Sequence, residues 1–239
     1  MDYNIILSLL TLIALEVVLG IDNIVFISIL AGKLPPHQQK KIQRLGLALA
    51  MVMRLGLLAL ISVIIKLDND LFQVLGTGIS GKDLVLISGG LFLLYKSAKE
   101  IYHKTEHPGE TGAPGKAKAS FGSVLAQILV MDLVFSVDSV ITAVGMADEL
   151  WVMYVAVVFT VGVMLFAANP ISSFINRHPA FKVLALSFLL LIGTALIAEG
   201  LGLEIPKGYI YFSMAFALLV DLVQLRKEQA RIRKKKISD

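Results

Sequence analysis

Apolar residues form long runs along this chain, and short polar segments separate one run from the next. The runs lie at about 5–31, 45–66, 83–99, 121–146, 150–169, 183–201 and 208–225. Most of them reach the ~20 residues that an α-helix needs to cross the ~30 Å hydrocarbon core of a bilayer. The third run is the weakest, because the ammonium groups of Lys96 and Lys99 would have to reach the headgroups. The pattern predicts an all-α, polytopic membrane protein with seven transmembrane helices.

The composition supports the same class of protein. Of the 239 residues, 56% are hydrophobic and 17% are charged, whereas charged residues make up roughly 25% of a soluble domain. The chain contains no cysteine, which excludes a disulfide framework, a thiolate metal site and a dithiol redox motif. We therefore expect one membrane domain over residues 1–239, in contact with the lipid bilayer.

The basic residues between the runs are distributed unevenly. With seven spans, the segments 32–44, 100–120, 170–182 and 226–239 lie on one side of the membrane and hold most of the 22 lysines and arginines. The positive-inside rule makes this side cytoplasmic. The amino terminus is then predicted outside and the carboxyl terminus in the cytoplasm, with the protein in the plasma (inner) membrane. This orientation accounts for the net charge of +4, and no nucleic-acid partner is predicted.

The first and fourth runs share an acidic motif, in which an acid, a small residue, a second acid and a small polar residue recur at one spacing. In the first run these residues are Glu16, Gly20, Asp22 and Asn23, and in the fourth they are Asp132, Ser136, Asp138 and Ser139. Two acids at a matched spacing are unusual in membrane segments, where acids are rare.

A unit of three spans that occurs twice places its second copy upside down in the membrane, as in many secondary transporters. We predict repeat one at about 1–100 and repeat two at about 121–201. A mobile cytoplasmic loop at about 101–120 would join the repeats, since its Gly, Pro, Ala and Lys residues favour irregular structure. The seventh helix and a basic tail, at about 208–239, fall outside the repeat.

The four acids within the apolar runs are energetically unfavourable unless something compensates their charge. An acid at the centre of a membrane helix costs about 2.5–3.5 kcal/mol, so that four unpaired acids would cost about 10–14 kcal/mol. This sum is comparable with the whole stability of a typical domain, about 5–15 kcal/mol. The acids must therefore be protonated, paired, or facing water or a bound cation.

Helix geometry constrains how these groups can meet. On an ideal helix Glu16, Gly20 and Asn23 share one face, whereas Asp22 lies about 120° away. Convergence of all the polar groups predicts a helix break near Gly20 and another near Ser136, where freed carbonyls would add cation ligands. We predict one metal site between the two helices, formed by Glu16, Asp22, Asn23, Asp132, Asp138 and Ser139.

The chemistry of the candidate ligands narrows the choice of ion. All four histidines fall between the runs, and an oxygen-only site favours Mn²⁺, Mg²⁺ or Ca²⁺ over Zn²⁺, Cu²⁺ or Ni²⁺. Arg54, within the second run, is predicted either to form a structural ion pair with one of the acids or to replace the metal as a built-in counter-ion. Glu199 and Asp221, nearer the ends of their spans, are further candidates for the ion pathway.

At these motifs the chain resembles the TerC family of integral membrane proteins, within the wider superfamily of LysE-like transporters. The resemblance covers Leu15 to Asn23, Gly78 to Leu84, Gly89 to Tyr95 and Met131 to Ser139. It implies efflux of metal ions, chiefly of manganese. The acidic motif of the family maps onto Glu16, Asp22, Asn23, Asp132 and Asp138.

The sequence thus favours a membrane transporter that exports divalent metal ions, above all Mn²⁺, in exchange for protons carried by the same acids. The direction of transport rests on the resemblance. A non-transporting membrane scaffold, or a metal-handling partner for other membrane or secreted proteins, is the alternative. A carrier of Ca²⁺ or of amino acids also fits, because carboxylates bind Ca²⁺ and ammonium groups. No enzyme is expected, since the sequence has no nucleophile–base pair and no metalloprotease motif. The oligomeric state is left open.

Overall fold

Helices make up nearly all of the structure, a computed structural model that describes residues 3–60, 69–74, 77–106, 119–146, 149–203 and 205–238. The helices are α1 (Tyr3–Ala31), α2 (Pro36–Ala59), α3 (Gly81–Glu106), α4 (Phe121–Met146), α5 (Leu150–Arg177), α6 (Pro179–Gly200) and α7 (Lys207–Ser238). One antiparallel hairpin, β1 (Asp70–Val74) and β2 (Thr77–Ser80), precedes α3. The all-α class is confirmed, and each of the seven predicted spans overlaps one of these helices within the described residues.

Five of the helices are long and apolar enough to cross a membrane, namely α1, α2, α4, α5 and α6. In α3 the apolar sequence is interrupted by Lys96, Lys99 and Glu100. That α3 and α7 also cross the bilayer stays a prediction.

Several helix ends differ from the predicted runs. Helix α2 begins at Pro36, earlier than the apolar run, because proline is well suited to the first position of a helix. Helix α5 continues through Pro170 to Arg177, so the prediction that the fifth span ends at residue 169 is wrong. Membrane helices tolerate an internal proline, since neighbouring groups can satisfy the freed carbonyl. The last part of the second run and most of the predicted loop fall at 61–68 and 107–118, outside the described residues.

The outer surface of the helices is apolar, whereas acids lie in the interior. Phe166 in α5 is 86% exposed and Phe212 in α7 is 72% exposed. Glu16, by contrast, is 2% exposed. This distribution is typical of a protein that is solvated by lipid, where charged groups face the bundle interior. The protein is therefore embedded in a bilayer.

Glycines allow close helix packing on both sides of the site described below. A Cβ atom at Gly90 of α3 would lie 2.6 Å from the carbonyl oxygen of Gly193 in α6. A Cβ atom at Gly20 of α1 would lie 2.0 Å from Cε of Met164 in α5. Small residues at such crossings bring backbones together in membranes, where van der Waals packing drives helix association.

The contacts between helices are compatible with the predicted repeat, which itself stays a prediction. Helix α1 packs extensively on α5, while α2 packs on α4, and α3 packs on α6. Two three-helix units that are related by a two-fold axis would share these pairings, since α1, α2 and α3 would correspond to α4, α5 and α6. The inverted orientation of the two units in a bilayer stays a prediction.

The hairpin was not predicted from the run pattern, and it leads directly into α3. The backbone N–H of Ser80 donates to Oδ2 of Asp83 at 2.8 Å, and the N–H of Asp83 donates to Oγ of Ser80 at 3.2 Å. This reciprocal capping box satisfies two N–H groups at the start of α3. The first turn of α3 thereby lies beside the end of α6, where a Cβ atom at Gly200 would be 2.8 Å from the carbonyl oxygen of Asp83.

Candidate cation site

The guanidinium of Arg54 lies between the two acidic motifs. It forms an ion pair with Glu16 of α1, and its Nη2 atom lies 3.7 Å from Oδ1 of Asp132 in α4. Its Nε donates to the hydroxyl of Ser136 at 3.1 Å. Arg54 is 3% exposed, and a buried charge requires such partners, because desolvation costs several kcal/mol per ion. The predicted ion pair between Arg54 and an acid is confirmed.

Asp132 completes this group with two further hydrogen bonds. Its Oδ2 accepts from Ser136 Oγ at 3.2 Å, and its Oδ1 accepts from Asn23 Nδ2 at 3.4 Å. We call Glu16, Asn23, Arg54, Asp132 and Ser136 the arginine network. It joins α1, α2 and α4. The two carboxylates thus have a common cation, an arrangement that fits both a structural ion pair and a built-in counter-ion.

A second group of polar side chains lines a cavity of about 40 Å³ on the other side of Arg54. One water needs roughly 10–15 Å³ on the same measure, so the space is large enough for a few waters or a partly hydrated cation. We call this space the acidic cavity. Its polar lining consists of Asp22, Arg54, Asp138, Glu199, Lys207 and Tyr211.

Two of the three acids in the cavity have basic partners. Nζ of Lys207 lies 2.5 Å from Oδ2 of Asp138. Nζ of Lys82, at the start of α3, lies 3.7 Å from Oε1 of Glu199. Glu199 also neighbours Asp138 and Lys207. The starts of α3 and α7 therefore supply cations to acids from α4 and α6.

Asp22 differs from the other buried acids. It lines the acidic cavity and is 6% exposed. Within the part of the chain that the structure describes, its carboxylate has no hydrogen bond and no ion pair. Tyr211, which also lines the cavity, lies close enough to Asp22 for an electrostatic interaction. Asp22 is thus the carboxylate in the cavity that is available to an added ligand.

The predicted helix breaks are wrong. Helix α1 is continuous through Gly20 and α4 is continuous through Ser136. Gly20 instead provides the close contact with Met164, and the Ser136 hydroxyl binds Arg54 and Asp132. Because the helices are unbroken, residues about 120° apart remain on different faces. Glu16 therefore faces the arginine network while Asp22 faces the acidic cavity.

The remaining candidates belong to neither group. Ser139 is buried and donates to the carbonyl of Ser136 in its own helix at 3.3 Å. Asp221 is partly exposed and does not line the acidic cavity. In the described ranges no cluster of three or more Asp, Glu or His side chains is close enough to hold a metal ion. Five of the six predicted ligands are divided between two neighbouring groups and Ser139 belongs to neither. The role of all six in binding metal stays a prediction.

Lys207 and Tyr211 were missed by reasoning from sequence. Lys207 is one of only three basic residues, with Lys66 and Lys82, in the segments predicted to face outside. That scarcity was a usable signal, since a lysine on the outer side is unexpected under the positive-inside rule. Tyr211 follows Lys207 by four residues and therefore shares its helix face.

The chain is similar to several bacterial proteins. A UPF0053 protein of Haemophilus influenzae is 53% identical over 220 residues, which are 92% of this chain and 93% of the relative. The UPF0053 inner membrane protein YgdQ of Escherichia coli K12 is 50% identical over 224 residues, which are 94% of each chain. The inner membrane protein YoaE of the same strain is 51% identical over 222 residues. No solved structure matches the chain significantly.

The matches differ in how much of each relative they cover, and one of them identifies the family. The alignment with YoaE covers 93% of this chain but 43% of YoaE, so the chain spans less than half of that relative. The sequence model of the family described as "Integral membrane protein TerC family" matches residues 1–236. The match includes both acidic motifs, the arginine network and the acidic cavity. The chain belongs to the TerC family of integral membrane proteins.

Proposed function

We propose that this chain is a membrane transporter for divalent metal ions, with Mn²⁺ as the foremost substrate and the acidic cavity as the binding site. One observation carries the proposal. Asp22 from α1 and Asp138 from α4, the second acids of the two motifs, line the same cavity. Midplane sites between two repeats are typical of secondary transporters. Export from the cytoplasm, as the resemblance to the family implies, is the proposed direction.

The chemistry of the lining favours a hard divalent cation. The cavity presents the carboxylates of Asp22, Asp138 and Glu199 together with the phenol of Tyr211. These are oxygen ligands, which suit Mn²⁺, Mg²⁺ and Ca²⁺. Asp22 and Asp138 together match the charge of one divalent ion. A free amino acid is a poorer candidate, because about 40 Å³ holds a few waters and not a side chain with its backbone.

The arginine network sets the inner limit of this site. Arg54 lines the cavity while its guanidinium binds Glu16 and Asp132. A fixed positive charge at the cavity wall repels a cation from the network and leaves the ion on the side of Asp22 and Asp138. In the predicted orientation Glu199 and Lys207 lie towards the outside, so that an ion released past them leaves the cell.

Mn²⁺ flux into proteoliposomes that contain the purified full chain tests this function. We expect Asp22→Asn to lower the flux at least about tenfold, since the uncommitted carboxylate is lost, a change of about 1.4 kcal/mol. Asp221→Asn is the matched control, because that acid does not line the cavity, and its flux should stay within about twofold of the wild type, which is below 1 kcal/mol. A pH-sensitive dye in the lumen reports whether protons move in the opposite direction.

Two results would contradict the proposal. Equal flux in wild type and Asp22→Asn would remove the acidic cavity from the pathway. A folded wild-type chain that binds Mn²⁺ but gives no flux above empty liposomes would favour the alternative, a metal-handling membrane scaffold.

A further inference from the structure

We propose that the ammonium group of Lys207 is a built-in competitor for the transported cation, which occupies Asp138 while the acidic cavity is empty and must leave before a divalent ion binds. This inference rests on the function proposed above and assigns a role to a residue outside both acidic motifs. In this role Lys207 would influence which ions bind. It would also keep the empty cavity from holding unpaired negative charge within the membrane.

The chain path places Lys207 over the cavity. Helix α6 ends in a Schellman motif, in which Gly202 has a φ of 79°. The N–H of Gly202 donates to the carbonyl of Glu199 and the N–H of Leu203 donates to the carbonyl of Ala198, both at 2.9 Å. A left-handed residue at this position reverses the chain directly after a helix. Because the reversal follows Glu199 so closely, the first residue of α7 returns to the acids.

The ion pair between Lys207 and Asp138 is unequal in burial. The side chain of Lys207 is 35% exposed, whereas that of Asp138 is 7% exposed. A lysine can move its ammonium group into water by rotating its flexible stem, whereas the short, buried side chain of Asp138 cannot reach water in this way. Lys207 is therefore the partner that moves. Helix α7 packs mainly on α6, and Lys207 is its first residue.

The charges in the cavity explain why the ammonium and a divalent ion exclude each other. With Lys207 on Asp138, the remaining uncommitted carboxylate is Asp22, which offers one negative charge. When Lys207 leaves, Asp22 and Asp138 together offer two. A divalent cation and an ammonium group that share Asp138 would repel each other strongly at such short distance. Lys207 thus lowers the affinity for the ion and stabilises the empty cavity.

The affinity of the chain for Mn²⁺ gives a direct test. The affinity for Mn²⁺ is measured on the purified full chain by titration calorimetry. We expect Lys207→Met to lower the Kd at least about tenfold, because the competing charge is gone. Lys82→Met is the matched control, since Lys82 contacts Glu199 but does not line the cavity, and its Kd should stay within about threefold of the wild type.

A chemical rescue separates the effect of the charge from an effect on folding. The chain contains no cysteine, so that a cysteine introduced at position 207 is the single thiol available to a reagent. Lys207→Cys should also bind Mn²⁺ more tightly than the wild type. Its thiolate attacks the sulfenyl sulfur of 2-aminoethyl methanethiosulfonate, a disulfide forms and methanesulfinate leaves, so that a lysine-like ammonium group is restored. We expect this adduct to regain the weaker wild-type affinity. The uncharged adduct from methyl methanethiosulfonate should keep the tighter binding.

Each outcome decides between the two proposals. If wild type binds and transports Mn²⁺ but the two adducts of Lys207→Cys have the same Kd, the competitor role is wrong and the transport function stands. If Lys207→Met binds Mn²⁺ and wild type does not, the competitor role is supported. If neither wild type nor any Lys207 variant binds Mn²⁺, Mg²⁺ or Ca²⁺ while remaining folded, both proposals are wrong.

Discussion

Removal of the Arg54 guanidinium is expected to destabilise the protein severely. In Arg54→Met, the buried acids Glu16 and Asp132 lose their common cation. The two acids are affected differently. Asp132 keeps its hydrogen bonds from Ser136 and Asn23, whereas Glu16 has no other hydrogen bond or ion pair among the described residues. Most of the loss in stability should therefore come from the unpaired charge of Glu16.

The magnitude follows from the burial of the pair. Removing one partner of a buried ion pair costs about 3–5 kcal/mol, because an uncompensated charge is left behind. For a chain of 150–250 residues, 1 kcal/mol corresponds to about 2–4 °C in Tm, so that the expected loss is roughly 6–20 °C. The assay is thermal unfolding of the purified protein in detergent, followed by light scattering and circular dichroism.

A second substitution tests the assignment to Glu16. The double variant Arg54→Met with Glu16→Gln should recover a large part of the lost Tm, since the stranded charge is gone, and the two changes should be strongly non-additive. Arg177→Met, at an exposed arginine at the end of α5, is the matched control and should shift Tm by less than about 2 °C. A Tm for Arg54→Met within about 2 °C of the wild type would refute the reasoning, as would additive effects of the two changes.

Two further predictions concern the glycine contacts. Gly20→Leu should cost about 1–3 kcal/mol by overpacking against Met164, and the additional change Met164→Ala should restore part of the stability, as measured by Tm. Gly90→Leu should cost at least as much without a simple rescue, because its Cβ would meet the backbone of Gly193 as well as the side chain of Ile197. Gly162→Leu is the control for both, since among the described residues a Cβ at that position would meet no heavy atom within 4 Å beyond the adjoining backbone of its own helix. Equal Tm values for Gly162→Leu and the other two variants would contradict the packing argument.

The class of fold was predictable because the bilayer imposes a simple rule on the sequence. Each membrane helix must be long and apolar, so the runs of hydrophobic residues locate the helices directly. The rule weakens where the chain leaves the apolar run. The start of α2 at Pro36, the continuation of α5 past Pro170 and the hairpin before α3 are set by local capping and packing, which hydrophobicity alone does not report.

The candidate site was predictable in part. The energetic cost of buried acids identified Glu16, Asp22, Asp132 and Asp138, and ideal helix geometry already turned Asp22 away from Glu16. The expectation of broken helices failed because a small residue in a membrane helix has two common uses. Gly20 could permit a break or a close helix contact, and the contact with Met164 becomes visible only when α5 is in place.

The partners of the acids could not be read from sequence spacing. Arg54 reaches Asp132 across 78 positions of the chain, and Lys207 reaches Asp138 across 69. Such pairings depend on how α2 and α7 pack against α4, which no local pattern encodes. The division into an arginine network and an acidic cavity is therefore a result of tertiary structure.

The most direct test of the central claim is the affinity of the purified full chain for Mn²⁺ in wild type and in Asp22→Asn, with Asp221→Asn as the control. If the acidic cavity is the ion site, the wild type and the control bind one Mn²⁺ with similar Kd, and Asp22→Asn raises the Kd at least about tenfold. If Asp22→Asn binds Mn²⁺ as tightly as the wild type, the acidic cavity is not the site and the proposed function loses its structural basis.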